Sequence, residues 1–224
     1  MTILLSDPRV ATIPLAECGE PMVALGTEFG PARAWVRHGV AVRLDRARSR
    51  LPRGIGMRVA EGHRTAADQE RIIDQYSAEV AAAHPGIGPH ERDQLVSRFV
   101  SPLAVAPHPA GAAVDVTLTD LRSDGADLDL GTPIDATPEQ SGGACYFDAP
   151  GITALARAGR VLLAGVLGSA GMINYPTEWW HWSYGDRYWA LLTRSGSAIY
   201  GPVEATIQQG NAAARSRRTA SLAR

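Results

Sequence analysis

A chain of 224 residues, 45% hydrophobic and 20% charged, has an ordinary globular composition and enough length for one domain with its own core. The 22 basic residues are all arginine and face 23 acidic ones, for a formal charge of −1. That balance excludes a global electrostatic footprint for nucleic acid, and the lack of lysine excludes a lysine nucleophile or Schiff base.

Met1 to Pro8 show no basic stretch followed by a sustained apolar run, so no secretory signal is predicted. Most of Ala32 to Leu51 reads as a helix ended by Pro52 and Gly54, and Gly56 to Glu61 as a short strand stopped by Gly62. Thr65 and Asp68 resemble a capping box that opens a helix running to Ala83. A further helix is predicted for Glu91–Phe99. Ala113 to Thr119 alternates, with Val114, Val116 and Leu118 on one face and Asp115, Thr117 and Thr119 on the other, as in a half-buried strand. A loop rich in Asp, Gly and Pro follows to about Pro150, then a helix over Gly151–Leu167 and an aromatic strand over Trp179–Tyr184.

The longest apolar stretch, Val161 to Ile173, contains three glycines and is too short to span a bilayer. Cys18 and Cys145 form no CxxC pair, so both read as inert thiols. The expectation is a cytoplasmic, α+β, single-domain protein over residues 1–209, with helices packed on a small, mainly antiparallel sheet. Residues 210–224 read as a frayed tail, and no membrane or nucleic-acid partner is expected.

His108, Asp115 and His181 are the candidate ligands of one metal site. Imidazole nitrogen and carboxylate oxygen are ordinary zinc donors, and three protein ligands leave a position for water or substrate. Asp115 lies on the polar face of its strand, His181 on a second strand, and His108 in a loop where Gly111 permits a sharp turn. Glu178, placed in the turn after Pro176, can act as general base toward a water on the metal. Arg64, at a strand-to-helix junction, can stabilise the oxyanion of a tetrahedral transition state. The chemistry indicated is metal-assisted hydrolysis.

The segment from His108 to Asp115 resembles the HxxGxAxD signature of zinc peptidases that act on D-Ala peptides, and Glu178-Trp179-Trp180-His181 resembles their ExWH signature. Glu61-Gly62-His63-Arg64 is similar to the (D/E)GxR segment, and Gly131 to Asp135 to the segment with an acidic substrate contact. In this order the motifs resemble the D-alanyl-D-alanine dipeptidases of the VanX type, from about Gly56 to Trp189. Ala106 stands where the family pattern has Ser, and His63 where Tyr is common. The resemblance implies Zn2+ on His108, Asp115 and His181, with Glu178 as catalytic acid/base and Arg64 as transition-state stabiliser. It also implies Asp135 as partner of the substrate ammonium, with Asp148 as its rival, and a small dipeptide as substrate. A D,D-carboxypeptidase or peptidoglycan endopeptidase acting on the cell wall is the alternative enzyme. A non-catalytic zinc-binding module is the alternative of another class, and needs neither Glu178 nor Arg64.

Overall fold

The computed structural model describes residues 2–203. The tail expected over 210–224, and the domain boundary before it, lie outside the described residues. In chain order the elements are α1 (Pro8–Thr12), β1 (Met22–Ala24), β2 (Trp35–Arg37), α2 (His38–Arg48), β3 (Ile55–Glu61), α3 (Ala66–Ala83) and α4 (Pro89–Val96). There follow β4 (Ala113–Asp120), β5 (Ala126–Asp127), α5 (Pro138–Ser141), α6 (Ala154–Ser169), β6 (Ile173–Asn174), β7 (His181–Ser183) and α7 (Arg187–Thr193).

The main sheet runs β3-β4-β7-β6, with β5 as a short partner of β4, and each pairing is antiparallel. β1 and β2 form a separate antiparallel ribbon. Helices on a small antiparallel sheet are the α+β arrangement predicted. Val114, Val116 and Leu118 of β4 are fully buried, packed with Met57 and Val59 of β3 and against Val40 and Leu44 of α2 and Leu163 and Leu167 of α6. Burying each such side chain stabilises the fold by roughly 1.5–3 kcal/mol. A second apolar cluster joins Tyr76 and Val80 of α3 to Val96 and Val100, and a third packs Leu5 and Val10 against Val105, Tyr175 and Tyr188.

Several local expectations need correction. The helix expected over most of Ala32–Leu51 is α2, which begins only at His38, because Trp35–Arg37 pairs with Met22–Ala24. Strand pairing claims the aromatic and β-branched residues there, which local pattern alone does not resolve. β4 is not half-buried, since Asp115, Thr117 and Thr119 are buried too. A central strand paired on both edges has its second face over a cavity and neighbouring side chains rather than over solvent. The helix expected over Glu91–Phe99 is α4, with Pro89 in its first turn, and the long loop contains β5 and α5. Finally, only His181–Ser183 of the aromatic run is strand; Trp179 and Trp180 belong to the turn before it.

Thr65 does cap α3, its hydroxyl accepting from Asp68 N–H at 3.1 Å. Both cysteines are free. No helix among the described residues is long and apolar enough to cross a membrane.

Candidate functional site

Strand register lines up three acidic or imidazole side chains. Asp115 of β4 pairs directly with His181 of β7 on one side and with Glu61 of β3 on the other. Directly opposed residues of an antiparallel pair share a face. Glu61 reaches that face only because the β3–β4 register shifts between Val59 and Glu61. Simple alternation from the core residue Val59 would send Ala60 to the cavity and Glu61 back to the core. The bulge instead places both Ala60 and Glu61 on the cavity wall.

His108 arrives from a turn in which Pro107 O accepts from Ala110 N–H at 3.2 Å and from Ala112 N–H at 3.0 Å. Gly111 has φ +65°, and a Cβ there would lie 2.6 Å from the Met22 side chain, so the turn requires glycine. His108 Nδ1 lies 2.7 Å from Gly62 O. A carbonyl can only accept, so Nδ1 carries the proton and the neutral ring presents the Nε2 lone pair to the site. Gly62 is itself constrained, because a Cβ there would lie 2.6 Å from Trp35 O of β2.

His108 Nε2, His181 Nδ1 and Asp115 Oδ1 form a triangle with edges of 3.1, 3.2 and 3.5 Å. Zinc–ligand bonds of about 2.0–2.2 Å in tetrahedral geometry separate ligand atoms by about 3.3–3.6 Å. All three groups are buried, and each offers one ligating atom to the same point. The residues present fit zinc. Burial works against charging His108, but the adjacent Asp115 carboxylate outweighs it and raises the imidazole's proton affinity. Burial lowers that of His181, which favours the neutral, ligating form. Burial alone would raise the Asp115 carboxyl; His108 and His181 beside it reverse that and hold it ionised.

Around the triangle lies a cavity of about 460 Å³, within the range of small-molecule sites. Glu178 lines it from the turn before β7, its Oε2 3.7 Å from His181 Nδ1. Burial, then the nearby Asp115 and Asp135 carboxylates, raise the Glu178 carboxyl well above its usual range. The turn is pinned by Asn174, whose Nδ2 donates to the carbonyls of Glu178 and His181 at 2.9 Å each. Arg64 forks onto Glu61, with Nε 3.0 Å from Oε1 and Nη2 bonded to Oε2, and Nη1 donates to Gln69 Oε1 at 3.4 Å. These three bonds leave the remaining guanidinium N–H groups for an oxygen in the cavity. Burial works to lower the Arg64 pKa, but Glu61 and Asp115 outweigh it and raise it, so the group stays cationic.

Asp135 also lines the cavity, at φ +64°, and burial followed by the Asp115 and Glu61 charges pushes its carboxyl up to about 6. Its rival Asp148 stands apart at the surface, its side chain 93% exposed beside Arg157. Thus the six residues singled out from sequence, His108, Asp115, His181, Glu178, Arg64 and Asp135, all border one cavity.

Sequence reasoning missed other members. Gln69 is 2% exposed and donates to Ser101 O at 2.9 Å while accepting from Arg64. Its signal was available: position 69 falls in register with Ile72, Tyr76 and Val80 on the inward face of α3, where a glutamine needs a partner. Trp180 lines the cavity beside His181. Leu5 and Tyr175 line it through contacts that no local pattern foretells.

Residues 33–195 match the peptidase M15 family, described as D-ala-D-ala dipeptidase. A D-alanyl-D-alanine dipeptidase from Synechocystis sp. (strain ATCC 27184 / PCC 6803 / Kazusa) is 29% identical over 217 residues, covering 80% of this chain and 87% of that protein. Among solved structures, the vancomycin-resistance D,D-pentapeptidase VanY in complex with Zn(II) is 18% identical with a TM-score of 0.46, covering 81% of this chain and 86% of its own. VanYB in complex with D-alanine-D-alanine is 18% identical with a TM-score of 0.47, covering 86% and 95%. The match spans well over half of the sequence: the chain belongs to the peptidase M15 family of D-Ala-D-Ala dipeptidases and is a hydrolase of peptide bonds.

Proposed function

We propose that this protein is a zinc dipeptidase that hydrolyses D-alanyl-D-alanine or a closely related D-amino-acid dipeptide. The observation on which the reading rests is the triangle of His108, His181 and Asp115 donor atoms, enclosed with a buried glutamate and an arginine in one cavity. Zinc held there would lower the pKa of water to about 7 and polarise the scissile carbonyl. Glu178, made basic by burial and by its carboxylate neighbours, takes the proton of the attacking water and returns it to the leaving amine. The Arg64 N–H groups not used by Glu61 and Gln69 hold the oxygen that becomes negative in the transition state. Asp135 pairs with the substrate's free ammonium, which selects a free amino end over an acylated one.

The test is release of free alanine, of either configuration, by the zinc-loaded protein from D-Ala-D-Ala, from its N-acetyl form and from L-Ala-L-Ala. Cleavage of the first is expected, with kcat/KM lower by at least about 100-fold for the other two. Equal release from the acetylated substrate would make the protein a D,D-carboxypeptidase. No release from any of them, with metal bound, would reduce the site to a binding module.

A further inference from the structure

Two cavities meet at the N-terminal segment. The site cavity of about 460 Å³ is one; the other, of about 600 Å³, lies between residues 2–11 and the α3–α4 pair and is lined mostly by apolar side chains. Leu5 and Val100 line both, so these two side chains stand between them. Leu5 is 3% exposed. Its N–H donates to the Tyr175 hydroxyl at 3.1 Å, and that hydroxyl donates in turn to Ser97 O. On either side, Ser6 N–H donates to Ser97 Oγ and the Tyr188 hydroxyl donates to Ile3 O, each at 2.9 Å. The segment is thereby strapped over the site.

Tyr175 connects this strap to the acid–base end of the cavity. Its carbonyl accepts from Glu178 N–H at 2.9 Å, and its ring centroid lies 6.1 Å from that of His181. Residue 5 falls outside the 33–195 segment that matches the family, so the wall is supplied by a part of the chain beyond that match.

We infer that Leu5 is a specificity-determining residue, the end wall that limits the side chain of the dipeptide's second residue to a small apolar group. The inference rests on the dipeptidase reading. With the first residue's ammonium at Asp135 and the leaving amine at Glu178, the second residue projects toward Tyr175, Leu5 and Val100. A methyl group fits before this wall. An aromatic ring needs the space behind it, where the second cavity offers apolar room.

Affinities for D-Ala-D-Ala and D-Ala-D-Phe, measured by calorimetry on zinc-loaded Glu178→Gln protein with and without Leu5→Gly, test this, alongside kcat/KM for both dipeptides with Glu178 intact. Before the Leu5 change, D-Ala-D-Ala should bind at least about tenfold tighter than D-Ala-D-Phe; afterwards the ratio should move by at least about tenfold toward D-Ala-D-Phe. A merely structural loss would weaken both alike and leave the ratio fixed, which overturns the assignment. Leu5→Ala, which keeps a β-carbon, gives the same comparison if the glycine variant does not fold. A shifted binding ratio without turnover of either dipeptide would sink the hydrolysis reading and leave the wall standing.

Discussion

Glu178 and His181 are three residues apart and 3.7 Å from each other in space, yet the proposed hydrolysis asks different things of them. His181 contributes Nδ1 to the donor triangle, whereas Glu178 stands beside it with a carboxyl whose proton affinity burial and two carboxylate neighbours have raised. A ligand and a proton carrier can be separated by measuring metal and turnover together. Glu178→Gln should keep about one zinc per chain while kcat falls about 10²–10⁴-fold, the usual contribution of a general acid–base. His181→Ala should lose both, since two protein ligands hold zinc poorly. Metal content by atomic absorption, read beside kcat, decides it: full turnover in the first variant or full metal content in the second would remove the residue from its role. At this scale the sequence was informative where a motif concentrates several groups in a few residues, as in Glu178-Trp179-Trp180-His181. It was silent where the partner is distant. Leu5 meets Tyr175 across 170 positions, and Gln69 meets Ser101 across 32, so neither contact leaves a local spacing to read.

Among the elements, α6 does more than cover the sheet. Arg160 on its inner face is completely buried, and its guanidinium donates to the carbonyls of Leu130, Ala144 and Tyr146 at 2.6–2.8 Å and to Phe147 at 3.3 Å, while lying over the Trp179 ring. These carbonyls belong to the connection between β4 and α6 that bears Asp135, and Trp179 adjoins Glu178. Burial, then Arg157 nearby, lowers the Arg160 pKa to about 10, which still leaves it charged at neutral pH. Arg160→Met would retain most of the packing but strand several buried carbonyls, each costing about 1–3 kcal/mol. Even with partial relaxation, a loss of about 4 kcal/mol is expected, or roughly 8–16 °C in Tm for a domain of this size. Arg157→Met should cost far less, because Arg157 is a third exposed and serves only Phe147 O and Ala149 O at its carbonyl contacts. Thermal melts of the two variants, compared side by side, check the argument; equal losses would refute it. The same elements show what a local pattern can hold. α3 was legible because the cap Thr65 precedes its helical run, and α6 because of its apolar stripe. β2 falls at the start of a span read mostly as helix, because its partner β1 is three residues long and lies upstream, with Ala24 in register with Trp35 11 positions on. The bulge at Ala60 could not be read at all, since it exists only in the pairing of β3 with β4.

For the molecule as a whole, the question is how far the fold depends on its metal. The largest apolar cluster is centred on Val114, Val116 and Leu118 of β4 with α2 and α6, and none of the three clusters contains a ligand residue. The metal-free chain therefore has a complete core and should still unfold cooperatively, unlike small domains whose folding is the binding of zinc. The site nevertheless joins distant parts of the chain: His108 and His181 are 73 residues apart and Asp115 and His181 are 66 apart. A cation that binds only the folded arrangement stabilises it by linkage, by about 4 kcal/mol when present at a thousand times its dissociation constant. For a domain of this length that corresponds to roughly 8–16 °C in Tm. Stripping the protein with a chelator should lower Tm by about that amount while preserving a single transition, and added zinc should restore it. Glu178→Gln should show the full response, because the variant keeps the ligands, and His181→Ala should show almost none. A chelator-induced collapse of the whole transition would mean that this core is insufficient alone. An unchanged Tm in protein shown to have gained and lost zinc would mean that the ion sits elsewhere than between β4, β7 and the His108 turn.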